Sequence, residues 1–204
     1  MSGSRRGQAL QNNPQDQRAL RPVLLLLVGA SGSGKTVFYS AHLKAALPKV
    51  LKASASPLDQ GGTDEERRRL LRARESFVYQ SVVFDLALMQ EAKSQGYEVK
   101  AVYVSTEDPD LNLGRVILRV NNGGRFAPIS RIAQDCAYGV RQLPEVKKRV
   151  DDLMLFDNTP HGRGVRLIAY FRERELVRLA CTIPRWAQRA FGQEFHRRVR
   201  PPRV

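Results

Sequence analysis

Val23-Leu24-Leu25-Leu26-Leu27-Val28-Gly29-Ala30-Ser31-Gly32-Ser33-Gly34-Lys35-Thr36 is the stretch on which the reading of this chain turns. Its first six residues are apolar without a break, the pattern of a strand covered on both faces, as in a parallel sheet. Its last eight fit G-x-x-x-x-G-K-[ST], and a helical segment from about Lys35 to Leu47 follows. Glycines at 29, 32 and 34 let the backbone curl until successive N–H groups point inward. The helix behind them adds the partial positive charge of its N-terminus. Such a turn holds phosphate. A chance match in a chain of ordinary composition is on the order of one in a hundred.

The motif is a P-loop, and each of its residues has an expected task. Gly29, Ala30, Ser31, Gly32, Ser33 and Gly34 wrap the phosphates. Lys35 reaches the β- and γ-phosphates, and the Thr36 hydroxyl ligates Mg²⁺. The expected cofactors are ATP and Mg²⁺.

Outward from the P-loop, strand-like and helical segments alternate. Val50-Leu51 is a weak strand, Ser54–Thr63 a loop and Asp64–Arg74 a charged helix. Phe77–Val83 is strand-like, Leu86–Ser94 helical and Glu98–Ser105 strand-like again. Asp108-Pro109 reads as an N-cap with proline at the first helical position, opening a helix through Val120. Ile129–Val140 and Glu145–Val150 read as two helices, Leu153–Phe156 and Val165–Phe171 as strands, and Pro184 opens a last helix ending near Gly192. The alternation predicts an α/β class, a P-loop NTPase three-layer fold with a mainly parallel central sheet and a helical lid.

Composition bounds the rest. The 204 residues suit one domain with tails, and the longest apolar run, Pro22 to Val28, is far short of a membrane span. No apolar segment follows Met1 as a secretory signal would require, so a soluble, cytoplasmic protein is expected. Residues 1–20 read as a disordered basic lead-in, 21–192 as the P-loop domain and 193–204 as a basic tail. Lys and Arg number 34 against 20 Asp and Glu, a net charge of +14 that fits either nucleic acid or phosphorylated substrates. Much of the excess lies at the two ends and no basic stretch is interleaved with aromatics, which weighs against nucleic acid. Two cysteines, Cys136 and Cys181, are too few for a disulfide scaffold and read as small apolar side chains. His42, His161 and His196 have no metal-ligand spacing. Trp186 and Phe191 are expected to dock the last helix onto the sheet.

Between Leu24 and Ile183 the chain resembles the zeta-toxin family of P-loop kinases, in the order and spacing of several weak signatures. These are Glu75-Ser-Phe-Val-Tyr-Gln-Ser81 on a strand, Gly96-Tyr97-Glu98-Val99 before the next, and Arg115, Arg119, Gly123-Gly124, Pro128 and Arg131. Asp157-Asn158-Thr159 then ends a strand, and Arg166-Leu-Ile-Ala169 follows. The resemblance implies transfer of the ATP γ-phosphate to a hydroxyl of a small molecule, with UDP-N-acetylglucosamine the family's best-known acceptor. It also implies a small antitoxin partner. Arg115, Arg119 and Arg131 become lid arginines that neutralise the transferring phosphoryl group.

The resemblance breaks at the acceptor side. The family's second strand ends in an aspartate that serves as base; the aligned residue here is Ser54, whose hydroxyl does not accept a proton at neutral pH. The family's glutamate and threonine on the next strand are Gln80 and Ser81. Ser54, Gln80 and Ser81 therefore line an altered acceptor site. Asp85 is read either as a carboxylate holding Mg²⁺ through water or as a helix N-cap, and Asp59 as an alternative base. Three function classes follow: a small-molecule kinase, a nucleotide-binding module that has lost its base, and a nucleic-acid-associated NTPase.

Overall fold

The computed structural model describes residues 21–53, 60–124, 126–159 and 164–199. Seven strands, β1 (Val23–Val28), β2 (Val50–Lys52), β3 (Phe77–Ser81), β4 (Glu98–Ser105), β5 (Asp152–Asp157), β6 (Arg166–Arg172) and β7 (Glu175–Leu179), form one sheet. Their order is β2-β3-β1-β4-β5-β6-β7. The first five run parallel, and β6 and β7 add an antiparallel edge. Around the sheet lie α1 (Lys35–Phe38), α2 (Gln60–Arg72), α3 (Leu86–Ser94), α4 (Pro109–Asn121), α5 (Ile132–Arg149) and α6 (Arg185–Val199).

The unbroken apolar run of β1 has its reason in the layers. Leu24, Leu26 and Val28 point into one core with Leu88, Met89, Leu143, Trp186 and Phe195. Leu25 and Leu27 point to the opposite face, against Phe38, Val78, Val102 and Val104. Period two along the strand thus serves two cores, and each buried leucine contributes on the order of 2 kcal/mol. A third, small cluster of Ala30, Val116, Ala127, Ile132 and Cys136 joins the P-loop to α4 and α5.

Several elements differ from the sequence reading. The helix after the P-loop is short: α1 passes into a π-helical turn at Tyr39–Leu43, and the Tyr39 hydroxyl donates to the carbonyls of Leu47 and Pro48. α2 opens at Gln60, inside the expected loop. Ile129–Val140 and Glu145–Val150 belong to a single rod, because α5 runs through Pro144 with Leu143 and Val146 fully buried on either side. Their burial outweighs the lost N–H of one proline. β7 is a strand the sequence did not announce, since its hairpin turns on Glu173 (φ 50°) and Arg174 (φ 72°) where glycine or asparagine is usual. The helix opened by Pro184 breaks at Phe191 (φ −136°, ψ 19°), close to the expected end near Gly192, and a second helical stretch carries α6 on to Val199, where Phe195, 2% exposed, packs on Phe171 and Phe191. Residues 193–199, read as the start of a tail, are therefore helix. Trp186 and Phe191 do dock α6, with Trp186 edge-on to Tyr103 at 5.6 Å between ring centres.

Candidate active site

The P-loop leaves the carboxyl end of β1, where parallel sheets collect their ligands. Gly32 (φ 81°) and Gly34 (φ 99°) lie in the left-handed region. A Cβ at Gly32 would collide with the Asn112 carbonyl, and one at Gly34 with the Asn158 side-chain amide. Both positions need glycine for conformation and for space.

Neighbouring side chains hold the loop in shape. The Asn158 amide donates to the Ser33 carbonyl at 2.7 Å. Arg115 reaches from α4 with one guanidinium nitrogen 3.3 Å from the Gly32 carbonyl and another 2.9 Å from that of Asn158. Beneath them the Thr106 hydroxyl donates to the buried Asn112 side chain, whose amide donates to the Cys136 sulfur at 3.4 Å. Arg115 thus grips the loop backbone rather than pointing free into solvent.

Lys35 folds back on its own loop, donating to the carbonyls of Gly29 at 2.5 Å and Ala30 at 3.0 Å. It is only 9% exposed. Burial, and then the positive charge of Arg119, bring its pKa down to about 8, with Asp135 and Cys136 pulling the other way. Arg119 and Arg131 are exposed, on α4 and on the turn before α5. Arg119 acts on Lys35 through its charge and Arg131 acts on Asp135. Of the candidate arginines, Arg119 is therefore the one whose charge reaches the P-loop lysine, and Asp135 acts on that lysine with the opposite sign. Burial raises the Asp135 pKa, while Arg131 and Lys35 oppose that shift.

On the other side, β3 brings Gln80 and Ser81 level with Leu27 and Val28 of β1. The Gln80 amide donates to the Thr36 hydroxyl at 3.3 Å, and its Oε1 is buried without a partner among the described residues. Ser81 is buried and donates to the Val83 carbonyl at 2.7 Å. Ser54, Asp59 and His161 lie outside the described residues. Ala53 marks the approach to Ser54, its N–H donating to the Gln80 carbonyl at 2.8 Å. Asp85 caps α3, accepting from the Leu88 N–H at 2.9 Å, and its second oxygen lies 3.2 Å from Arg67. Both of its oxygens are engaged.

The residues present fit a triphosphate and its metal. The glycine cradle has no room for a Cβ, and the Thr36 hydroxyl, 3.3 Å from the Gln80 amide nitrogen, follows it as a neutral oxygen donor. Mg²⁺ keeps most of its shell from phosphates and water and needs few protein oxygens. Among the described residues no cluster of three or more His, Cys, Asp or Glu is placed to hold a metal by itself.

Sequence reasoning missed Asn158 as a site residue, although Asp157-Asn158-Thr159 stood out as a strand end, because its partner Ser33 lies 125 positions away. It also missed Asp135, whose one available signal was its place four residues after Arg131.

No family model and no curated protein matches the chain. Among solved structures it is similar to a chain of the AvrRxo1-ORF1:AvrRxo1-ORF2 complex with ATP, at 14% identity and a TM-score of 0.63, over 93% of this chain and 66% of that one. The same complex with sulphate ions matches at 14% identity and a TM-score of 0.61, with the same coverage, 93% and 66%. The likeness shows that the chain shares the fold of those AvrRxo1 structures, an α/β fold with a mainly parallel sheet. A weaker likeness is to the PezAT chromosomal toxin–antitoxin system of Streptococcus pneumoniae, at 16% identity and a TM-score of 0.48, over 78% of this chain and 71% of that one. The chain spans about two thirds of the AvrRxo1 chains it matches, 66% of their length. No helix among the described residues is long and apolar enough to cross a membrane.

Proposed function

We propose that this zeta-toxin-like protein is an ATP-dependent kinase that transfers the γ-phosphate to a hydroxyl of a small molecule of the nucleotide-sugar type. The observation that carries the reading is a buried lysine in a glycine cradle that Arg115 and Asn158 brace through its carbonyls, with the charge of the exposed Arg119 acting on that lysine. Phosphoryl transfer is mostly positioning and charge neutralisation, and this arrangement supplies both. The ATP-bound neighbour supports ATP as donor.

Each residue then has a task. The N–H groups from Gly29 to Gly34 bind the phosphates, and Lys35 turns from its own carbonyls to their oxygens. Thr36 would hold Mg²⁺, which when bound neutralises charge between the β- and γ-phosphates. Arg119 and Arg131 close over the transferring group, Arg115 and Asn158 keep the loop in register, and Gln80, Ser81 and Ser54 face the acceptor. Asp85 serves the metal only by giving up its cap or its pair with Arg67. A partner protein of antitoxin type that blocks the site is part of the same proposal, supported by the two-component make-up of the AvrRxo1 complex.

The test is incubation with ATP–Mg²⁺ and a panel of nucleotide sugars, nucleosides and antibiotics, with new phosphomonoesters scored by mass spectrometry. A phosphorylated nucleotide sugar is the expected product. Bound ATP with no transfer to any acceptor or to water would instead make the chain a nucleotide-binding module.

A further inference from the structure

We infer that Asp135 is the carboxylate that takes the proton from the acceptor hydroxyl. This rests on the kinase reading and names the base which that reading lacks. At the sequence positions where zeta toxins carry acids, this chain has Ser54 and Gln80. Asp85 is committed to the Leu88 N–H and to Arg67.

Asp135 stands on a different wall. It lies in the first turn of α5, and Ile132 and Cys136 of that turn pack with Ala30 of the P-loop and Val116 of α4. Helix geometry puts residue 135 at the edge of this buried stripe, on the side that carries Arg131 four residues back. Its side chain is half-buried and makes no hydrogen bond or ion pair among the described residues. Among the described residues it is the one carboxylate whose charge acts on Lys35. A half-buried acid without a hydrogen-bond partner among the described residues, on a helical turn packed against the P-loop, has capacity for a proton. Burial raises its pKa, the direction that suits a general base, with Arg131 and Lys35 opposing.

In the transfer step the acceptor oxygen forms a bond to the γ-phosphorus as the bond from that phosphorus to the β,γ-bridging oxygen breaks. ADP leaves with the electron pair, and the acceptor proton passes to the Asp135 carboxylate and on to water. One ATP and one alcohol give one ADP, one phosphomonoester and one proton.

The rival role for Asp135 is a counter-ion that merely steadies Lys35, and the two roles separate experimentally. The full chain, Asp135→Asn and Asp135→Glu are compared with ATP–Mg²⁺, using UDP-N-acetylglucosamine and water as acceptors and ATP-dependent thermal stabilisation as the binding readout. The expected result for Asp135→Asn is a fall in kcat of about 100-fold or more with ATP binding within about threefold of the native chain. Asp135→Glu should recover part of the loss. Native-like turnover in Asp135→Asn overturns this inference and leaves the kinase reading standing. Lost ATP binding in Asp135→Asn makes the residue a counter-ion and overturns it as well. A native chain that transfers γ-phosphate to no acceptor of the panel and not to water sinks the kinase reading itself, and the inference with it; where another acceptor of the panel is phosphorylated, the same comparison is made with that acceptor.

Discussion

Lys35 carries an opposed pair of demands. Empty, it is an ammonium held away from water with only two carbonyl oxygens as hydrogen-bond partners; filled, it meets phosphate. A pKa brought from 10.5 to about 8 means that the unfolded chain binds more protons than the folded one between those two values. The Lys35 contribution to stability therefore rises with pH across that window, and below about pH 8 its buried charge costs the empty protein roughly 3 kcal/mol. Lys35→Met should accordingly be more stable than the native chain at pH 7 without nucleotide, an advantage that fades by pH 10, while losing stabilisation by ATP–Mg²⁺. Urea denaturation at pH 7, 8, 9 and 10, with and without ATP, measures both signs; equal pH slopes would refute the argument. Gly34 gives a second residue-scale expectation. Gly34→Ala meets both a left-handed φ and the Asn158 amide, so it should abolish ATP binding. Adding Asn158→Ala removes the collision but not the backbone cost, and recovery should be partial. Full recovery would assign the whole effect to space.

At the scale of elements, α4 divides its arginines between two tasks four residues apart. Arg115 holds Gly32 and Asn158, so Arg115→Ala should act on the shape of the empty loop and weaken ATP binding about 10-fold, the loss of two charge-assisted hydrogen bonds to carbonyls. Arg119 acts on Lys35 through charge, from an exposed position. Arg119→Ala should leave ATP binding nearly intact and slow turnover by about 10³-fold, the effect of an arginine that meets charge formed in transfer. Thermal shift with ATP, set beside single-turnover rates, separates the two, and Arg200→Ala, near the end of the chain, serves as the control. Matching profiles for Arg115→Ala and Arg119→Ala would cancel this division of labour. The pair looked alike in sequence, since helical spacing places both on one face but does not say which of them meets a carbonyl.

For the whole molecule, the packing of α6 is the sharpest expectation. Phe195 is buried with Phe171 and Phe191, and Glu194 beside it pairs with Lys147 of α5 at 2.7 Å. Phe195→Ala should cost about 3–5 kcal/mol in denaturant unfolding, and a chain ended at Gly192 should lose more. Native stability for the shortened chain would return residues 193–199 to the status of a tail. What was legible beforehand is what local chemistry dictates. The apolar run of β1 required cover on both faces, the glycine spacing required a phosphate loop, and strand–helix alternation required a parallel sheet. The α/β class and the P-loop follow from such short-range rules, while the candidate arginines came from the resemblance to zeta toxins. What lay beyond them depends on residues far apart in the chain. The turn at Glu173 and Arg174 has neither glycine nor asparagine to mark it, so β7 is held by the edge that β6 offers. Pro144 sits inside α5 because Leu143 and Val146 are buried in the core on one side of the sheet. Asn158 and Asp135 reach the site through contacts and fields that link distant parts of the chain. Sequence by itself determined that this protein carries a phosphate loop on a parallel sheet, because a backbone turn and a buried strand are written in consecutive residues. Only the tertiary structure decided which arginine braces the loop and which acid acts on the lysine, because burial and electrostatic reach are properties of neighbours in space.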